Sequence, residues 1–99
     1  MPLDWQEVKR RYEKGAQVPT VAGGKTLEVT GADDEKIYIR TPLWQAELQR
    51  SDLERAVSLL EGGRITRHAG HFAEEYRHMV ADARGSSAAH ILKDLGFLG

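Results

Sequence analysis

The chain has 99 residues, of which 40% are hydrophobic and 29% charged, with a formal net charge of −1. That length and mix build one domain, residues 1–99, and exclude wholesale disorder; they also exclude a membrane-spanning protein, because no apolar run approaches the roughly 20 residues a spanning helix needs. Without cysteine there can be no disulfide, thiolate zinc site or thiol nucleophile, and a near-neutral balance excludes a surface that attracts nucleic acid everywhere while leaving room for a local basic face.

The start, Met1-Pro2-Leu3-Asp4-Trp5, has neither the basic nor the apolar region of a signal peptide, so a cytoplasmic address is expected. Arg outnumbers Lys on an Ala- and Gly-rich background, usage that fits a GC-rich bacterial genome and carries no mechanism.

Asp4 followed by Glu7 is a capping box, with Leu3 placed to staple onto Val8, and predicts a first helix running to about Lys14 and stopping at Gly15. Trp5, Val8 and Tyr12 form its apolar stripe; Lys9, Arg10 and Lys14 face outward. Pro19 and Gly23-Gly24 then make residues 16–24 a loop. From Lys25 to Arg40 apolar and polar residues alternate on both sides of the acidic turn Gly31-Ala32-Asp33-Asp34-Glu35, which predicts a β-hairpin. Leu27, Val29, Ile37 and Ile39 share its inner face, and Pro42 ends its second strand. Residues 43–49 fit either an irregular return or a short helical turn burying Leu43, Trp44 and Leu48.

Ser51 and Glu54 form a second capping box ahead of Leu53, Ala56, Val57 and Leu60, whose helical spacing ends at Gly62-Gly63. A third helix is expected from about Ala69 to Arg84, with Phe72, Tyr76, Met79, Val80 and Ala83 on one side. A fourth follows Ser86 as N-cap, buries Ile91, Leu92 and Leu95, and closes at Gly96 with Phe97 in a Schellman motif. The expected fold is thus a small α+β domain, a two-stranded antiparallel hairpin packed against about four helices in the order αββααα.

Gly23-Gly24-Lys25-Thr26 imitates the end of a phosphate-binding loop, but the motif's first glycine would fall on Pro19 and the segment precedes a strand instead of opening a helix. Ser86, Ser87 and His90 lack the orienting group and oxyanion hole of a hydrolase. His71, Glu75, His78 and Asp82 align on one helical face, where nitrogen and carboxylate ligands suit a divalent ion, yet His71 and His78 stand two turns apart, about 10.5 Å. Amphipathic-helix surface explains that face more simply.

On the hairpin, Lys36, Tyr38 and Arg40 point outward together if Ile37 and Ile39 point inward, placing an aromatic ring between two cations on a ribbon able to meet phosphates and bases. Lys9, Arg10 and Lys14 extend the patch if the first helix lies alongside. The competing expectation is that Lys36 and Arg40 pair with acidic neighbours such as Glu28.

No catalytic residue, cofactor or small-molecule partner is implied. The best reading is a small non-catalytic binding or accessory domain contacting nucleic acid through Lys36, Tyr38 and Arg40. The alternative is a protein-interaction module or homodimer using the hairpin edge and Trp44, since an exposed tryptophan after Pro42 would mark a protein-binding patch. Metal binding on the His71 to Asp82 face stands third.

Overall fold

Strands that follow one another in sequence pair antiparallel, and the result is a four-stranded meander in the order β1-β2-β3-β4. The computed structural model describes residues 3–20, 24–81 and 84–98. Helix α1 (Trp5–Tyr12) precedes strands β1 (Ala16–Pro19), β2 (Thr26–Ala32), β3 (Lys36–Arg40) and β4 (Gln45–Gln49); helices α2 (Arg50–Glu61), α3 (Ala69–Met79) and α4 (Gly85–Asp94) follow. This corrects the expected two-stranded hairpin and its αββααα order: the domain is α+β, but two further strands flank the hairpin. Among the described residues, no helix is long and apolar enough to cross a membrane.

Strand β1 lies where the sequence suggested a loop, and β4 where it suggested an irregular return or a short helical turn. In β1 only Val18 is buried, so the segment carries too little alternation to announce itself, and Pro19 reads as a breaker. An edge strand tolerates it. Thr20 N donates to Lys25 O at 3.1 Å, and alternation along the ladder then turns the Pro19 nitrogen away from β2, where no donor is needed. In β4 the signal was Ala46 and Leu48 alternating with Gln45, Glu47 and Gln49. Leu48 is buried as expected, but Leu43 and Trp44 are exposed. They belong to a turn, not to an irregular return: Thr41 N donates to Trp44 O at 2.8 Å, and the Thr41 hydroxyl accepts from the Leu43 and Trp44 amides at 3.2 Å each. Pro42 thus initiates the turn into β4.

The central hairpin keeps the anticipated faces. Leu27, Val29, Ile37 and Ile39 are all buried, with Val29 opposite Ile39 and Ala32 opposite Ile37. A bulge between Val29 and Gly31 shifts the register, which brings Ala32 round to pack against the core. The loop itself is shorter than expected, because β2 runs through Ala32.

Against this inner face lie Trp5, Val8 and Tyr12 of α1, Leu53, Ala56, Val57 and Leu60 of α2, and Ala88, Ala89, Ile91 and Leu92 of α4, while α3 packs on α4 and adds Phe72 and Tyr76 to the same core. The Tyr12 hydroxyl donates to Asp94 Oδ2 at 2.5 Å, and Arg11 Nε reaches the same oxygen at 3.0 Å, joining α1 to the end of α4. Burial, reinforced by Asp94, raises the Tyr12 phenol well above its ordinary value.

Helix boundaries moved where tertiary contacts overrode local signals. Asp4 caps α1 by accepting from Gln6 N at 3.1 Å, while Glu7 pairs with Arg10 at 2.6 Å instead of closing a capping box. Helix α1 ends at Tyr12, two residues short of Lys14, and Gly15 at φ +85° starts the turn into β1, where a Cβ would stand 3.1 Å from Val29 O. Helix α2 begins one residue before Ser51, with Gln49 as an N-cap that makes no side-chain bond; Glu54 reaches Arg50 at 3.4 Å. Helix α3 stops at Met79, short of the expected Arg84, and the expected Ala83 contact lies outside the described residues. Arg84, not Ser86, precedes α4, in a left-handed conformation at φ 64°. The Schellman closure at Gly96 is present: Phe97 N donates to Leu92 O at 2.9 Å and Gly96 N to Lys93 O at 3.0 Å.

Gly85 lies where α4 crosses α3 closely, and a Cβ there would come within 2.6 Å of Ala73 O. Gly85→Ala is therefore expected to destabilise the fold by roughly 1–3 kcal/mol through overpacking against backbone; an unchanged urea midpoint would contradict this contact. Burial also holds His90 of α4 below the ordinary imidazole value of 6.5. The unfolded chain then takes up a proton more readily than the native one, so this contribution is complete above about pH 6.5 and is lost as pH falls below it. His90→Leu should flatten the acid side of the melting-temperature profile across that window.

Candidate functional site

Strand β3 presents Lys36, Tyr38 and Arg40 on the face of the sheet away from the helices, since Ile37 and Ile39 between them are buried. Each is already engaged. Lys36 Nζ pairs with Glu47 Oε1 of β4 at 2.9 Å. Arg40 makes a bidentate contact with Glu28 of β2, at 3.2 and 2.8 Å. Tyr38 donates to Asp33 Oδ2 at 2.6 Å. These bonds raise the Lys36, Arg40 and Tyr38 protonation constants, and the Tyr38 hydroxyl, with the Glu35 and Lys36 amides, holds Asp33 below the usual carboxylate range. The face is a checkerboard of matched charges, with Thr30, Gln45 and Glu47 lining a shallow depression beside Tyr38 and Arg40.

The remaining predicted cations do not complete a patch. Helix α1 packs its Trp5, Val8 and Tyr12 stripe against the opposite, buried side of the sheet. Lys9 reaches Asp34 in the β2–β3 loop at 2.8 Å, which raises its own protonation constant. Arg10 pairs with Glu7. Lys14 alone comes round to the margin of the outer face, where it lines a depression with Gln17, Glu28, Thr30 and Arg40.

A different surface emerges at the sheet's last strand. Arg50 N donates to Glu35 O at 2.7 Å and Thr41 N to Trp44 O at 2.8 Å. By the alternation of an antiparallel ladder, the pairs Ile37–Leu48 and Ile39–Ala46 carry the β3–β4 bonds, and the backbone groups of Gln45, Glu47 and Gln49 point away from β3. No further strand lies beyond them among the described residues. At the head of this edge stand Leu43, 91% exposed, and Trp44, 36% exposed, the large hydrophobic side chains left uncovered among the described residues. The Arg84 guanidinium lies over the Trp44 ring, 4.4 Å from its centroid. The two tryptophans divide: Trp5 is core and donates from Nε1 to Asp33 O at 2.8 Å, whereas Trp44 faces solvent.

The other motifs remain scattered. Among the described residues, no three His or acidic side chains come together to hold a metal ion; His71 and His78 are exposed, and Asp82 lies outside the described residues. So does Gly23 of the phosphate-loop look-alike, while Thr26 simply opens β2. Ser86 is exposed, Ser87 is buried in the first turn of α4, and neither serves as the helix cap.

No family model matches the chain, and no match to a curated protein or a solved structure was found.

Asp33 ties this site to the fold, and its removal is measurable. Its carboxylate accepts from the Tyr38 hydroxyl and from the Glu35 and Lys36 amides, whereas that of Asp34 holds Lys9. Asp33→Ala should lower the melting temperature more than Asp34→Ala. Because the native Asp33 value lies below the ordinary 3.8, its stabilisation is present above that pH and is lost as pH falls through the depressed value; equal melting curves for the two variants would contradict this role.

Proposed function

We propose that the chain is a non-catalytic protein-interaction module that receives an extended segment along the free edge of β4, with Leu43 and Trp44 as apolar contacts beside it. The observation that carries the reading is the combination of the outward-facing backbone of Gln45 and Glu47 and the outward Gln49 amide, which no further strand meets among the described residues, with these two exposed side chains at the same edge. Proteins commonly blunt such edges with Pro, Lys or a bulge. Strand β1 has Pro19, whereas β4 has none of these devices. An incoming strand would gain backbone hydrogen bonds from the edge and side-chain contacts from the Leu43-Trp44 turn.

Nucleic-acid contact through Lys36, Tyr38 and Arg40 ranks behind this, because each cation would have to leave a carboxylate 2.8–2.9 Å away before it met a phosphate. Glu28 and Glu47 would then face the backbone of the nucleic acid. The cysteine-free composition is compatible with a cytoplasmic address, which forms part of the proposal.

The test selects extended peptides on the folded chain from a displayed random library and maps them by amide shifts. Selected peptides are expected to move the Gln45, Glu47 and Gln49 amides and to change Trp44 fluorescence. Glu47→Pro should abolish binding while preserving the fold, because the lost N–H points outward. Selected peptides that leave β4 unperturbed would overturn the reading. Parallel titration with duplex DNA, single-stranded DNA and RNA separates the alternative: salt-sensitive shifts on Lys36, Tyr38 and Arg40 would restore nucleic acid as the ligand.

A further inference from the structure

We infer that the segment received at this edge is β4 of a second copy of the chain, in an antiparallel register centred on Glu47; the inference rests on the edge reading above and goes beyond it by naming the occupant. Strand β4 reads Gln45-Ala46-Glu47-Leu48-Gln49, nearly the same from either end. A two-fold axis at Glu47 sets Gln45 opposite Gln49 of the other copy, Ala46 opposite Leu48, and Glu47 opposite Glu47. Side-chain amides are self-complementary, each offering both donors and acceptors, so the Gln45–Gln49 pairs can bond whichever copy supplies which. On the inner face a small residue meets a large one.

The backbone phase agrees with this register. In an antiparallel pair, residues directly opposite exchange both of their hydrogen bonds at every second position. The positions whose groups point away from β3 are Gln45, Glu47 and Gln49, and the axis at Glu47 pairs these three with one another: the full exchange falls on Glu47, while each Gln45–Gln49 pair is closed by the Gln49 amide, the Gln49 carbonyl being taken by the first turn of α2. An axis at Ala46 would oppose Gln45 to Glu47 and Ala46 to itself, leaving Leu48 opposite Trp44. The like charges at the Glu47 centre are each held by Lys36 of their own copy at 2.9 Å, which offsets their repulsion. Residues that precede β4 meet those that follow it, so exposed Leu43 and Trp44 come to lie near the first turn of α2 in the other copy. Two four-stranded sheets then become one continuous sheet. Strand β1 cannot serve in the same way, because Pro19 offers no donor at that edge.

A strand-edge contact of this size falls toward the small end of specific interfaces, under about 1,200 Å², so a reversible dimer of micromolar or weaker affinity is expected. Because the chain has no cysteine, engineered thiols report the register cleanly. Opposed residues in a hydrogen-bonded pair stand about 5.5 Å apart at Cα, within disulfide reach. Glu47→Cys is expected to form a disulfide-linked dimer on mild oxidation. Gln45→Cys alone should not, since the two thiols would lie four residues apart along the strand, about 14 Å, whereas a mixture of Gln45→Cys and Gln49→Cys chains should cross-link. Sedimentation equilibrium of the unmodified chain should show concentration-dependent dimer, lost in Glu47→Pro.

Equal cross-linking by Glu47→Cys and Gln45→Cys would indicate random collision and overturn the register. A strict monomer up to about 1 mM, well above the weak end expected for such an edge, would overturn the second copy as occupant. That result would leave the edge reading standing if selected peptides still move the β4 amides, and the two failures are thereby separable.

Discussion

Asp33 stands where the first helix, the hairpin loop and strand β3 converge, and its contacts set the geometry on both sides of the sheet. Its carboxylate gathers the Glu35 and Lys36 amides at 2.9 and 2.8 Å, closing the hairpin loop, and takes the Tyr38 hydroxyl on its other oxygen. Its carbonyl receives the indole of Trp5, anchoring α1. The next two residues continue the pattern, with Arg50 Nη1 donating to Asp34 O at 3.1 Å and Arg50 N to Glu35 O at 2.7 Å. Arg50 also lies over the Trp5 ring, 5.7 Å from its centroid. The loop of residues 33–35 thus holds the first helix, the start of the second helix and the exit of β4.

Much of the apolar architecture was legible in the sequence because it follows short-range periodicity. Trp5, Val8 and Tyr12 recur at helical spacing, and Leu27, Val29, Ile37 and Ile39 at strand spacing; all are buried. What was missed depended on pairing with a neighbouring strand more than on a segment's own pattern. Strand β1 is defined by its ladder to β2 more than by its own pattern, with one buried side chain. Strand β4 carries a period of two, but only over five residues, and the apolar Leu43-Trp44 pair after Pro42 interrupts the pattern just before it. The Ser51-Glu54 capping box failed for a related reason, since the chain enters α2 straight from a strand, and the Arg50 amide is already bound to Glu35.

The candidate site shows the same division. That Lys36, Tyr38 and Arg40 share a face followed from alternation, yet whether they form a binding patch depended on what lies across the ladder. Glu47 is a cross-strand neighbour of Tyr38 and sits diagonal to Lys36, and Glu28 is directly opposite Arg40. The first could not be anticipated without β4. Net charge was no guide, because the balance is struck locally, residue against residue.

The contrast between the two ends of the sheet governs how far any growth by strand addition could proceed. Pro19 removes a donor from one border, whereas among the described residues no further strand covers β4 at the other. A building block with two receptive borders would stack without limit, in the manner of a fibre, whereas one with a single receptive border is exhausted after one joining event. An imino acid at the first strand would therefore hold any joining through the last strand to a finite number of copies instead of letting it seed an aggregate.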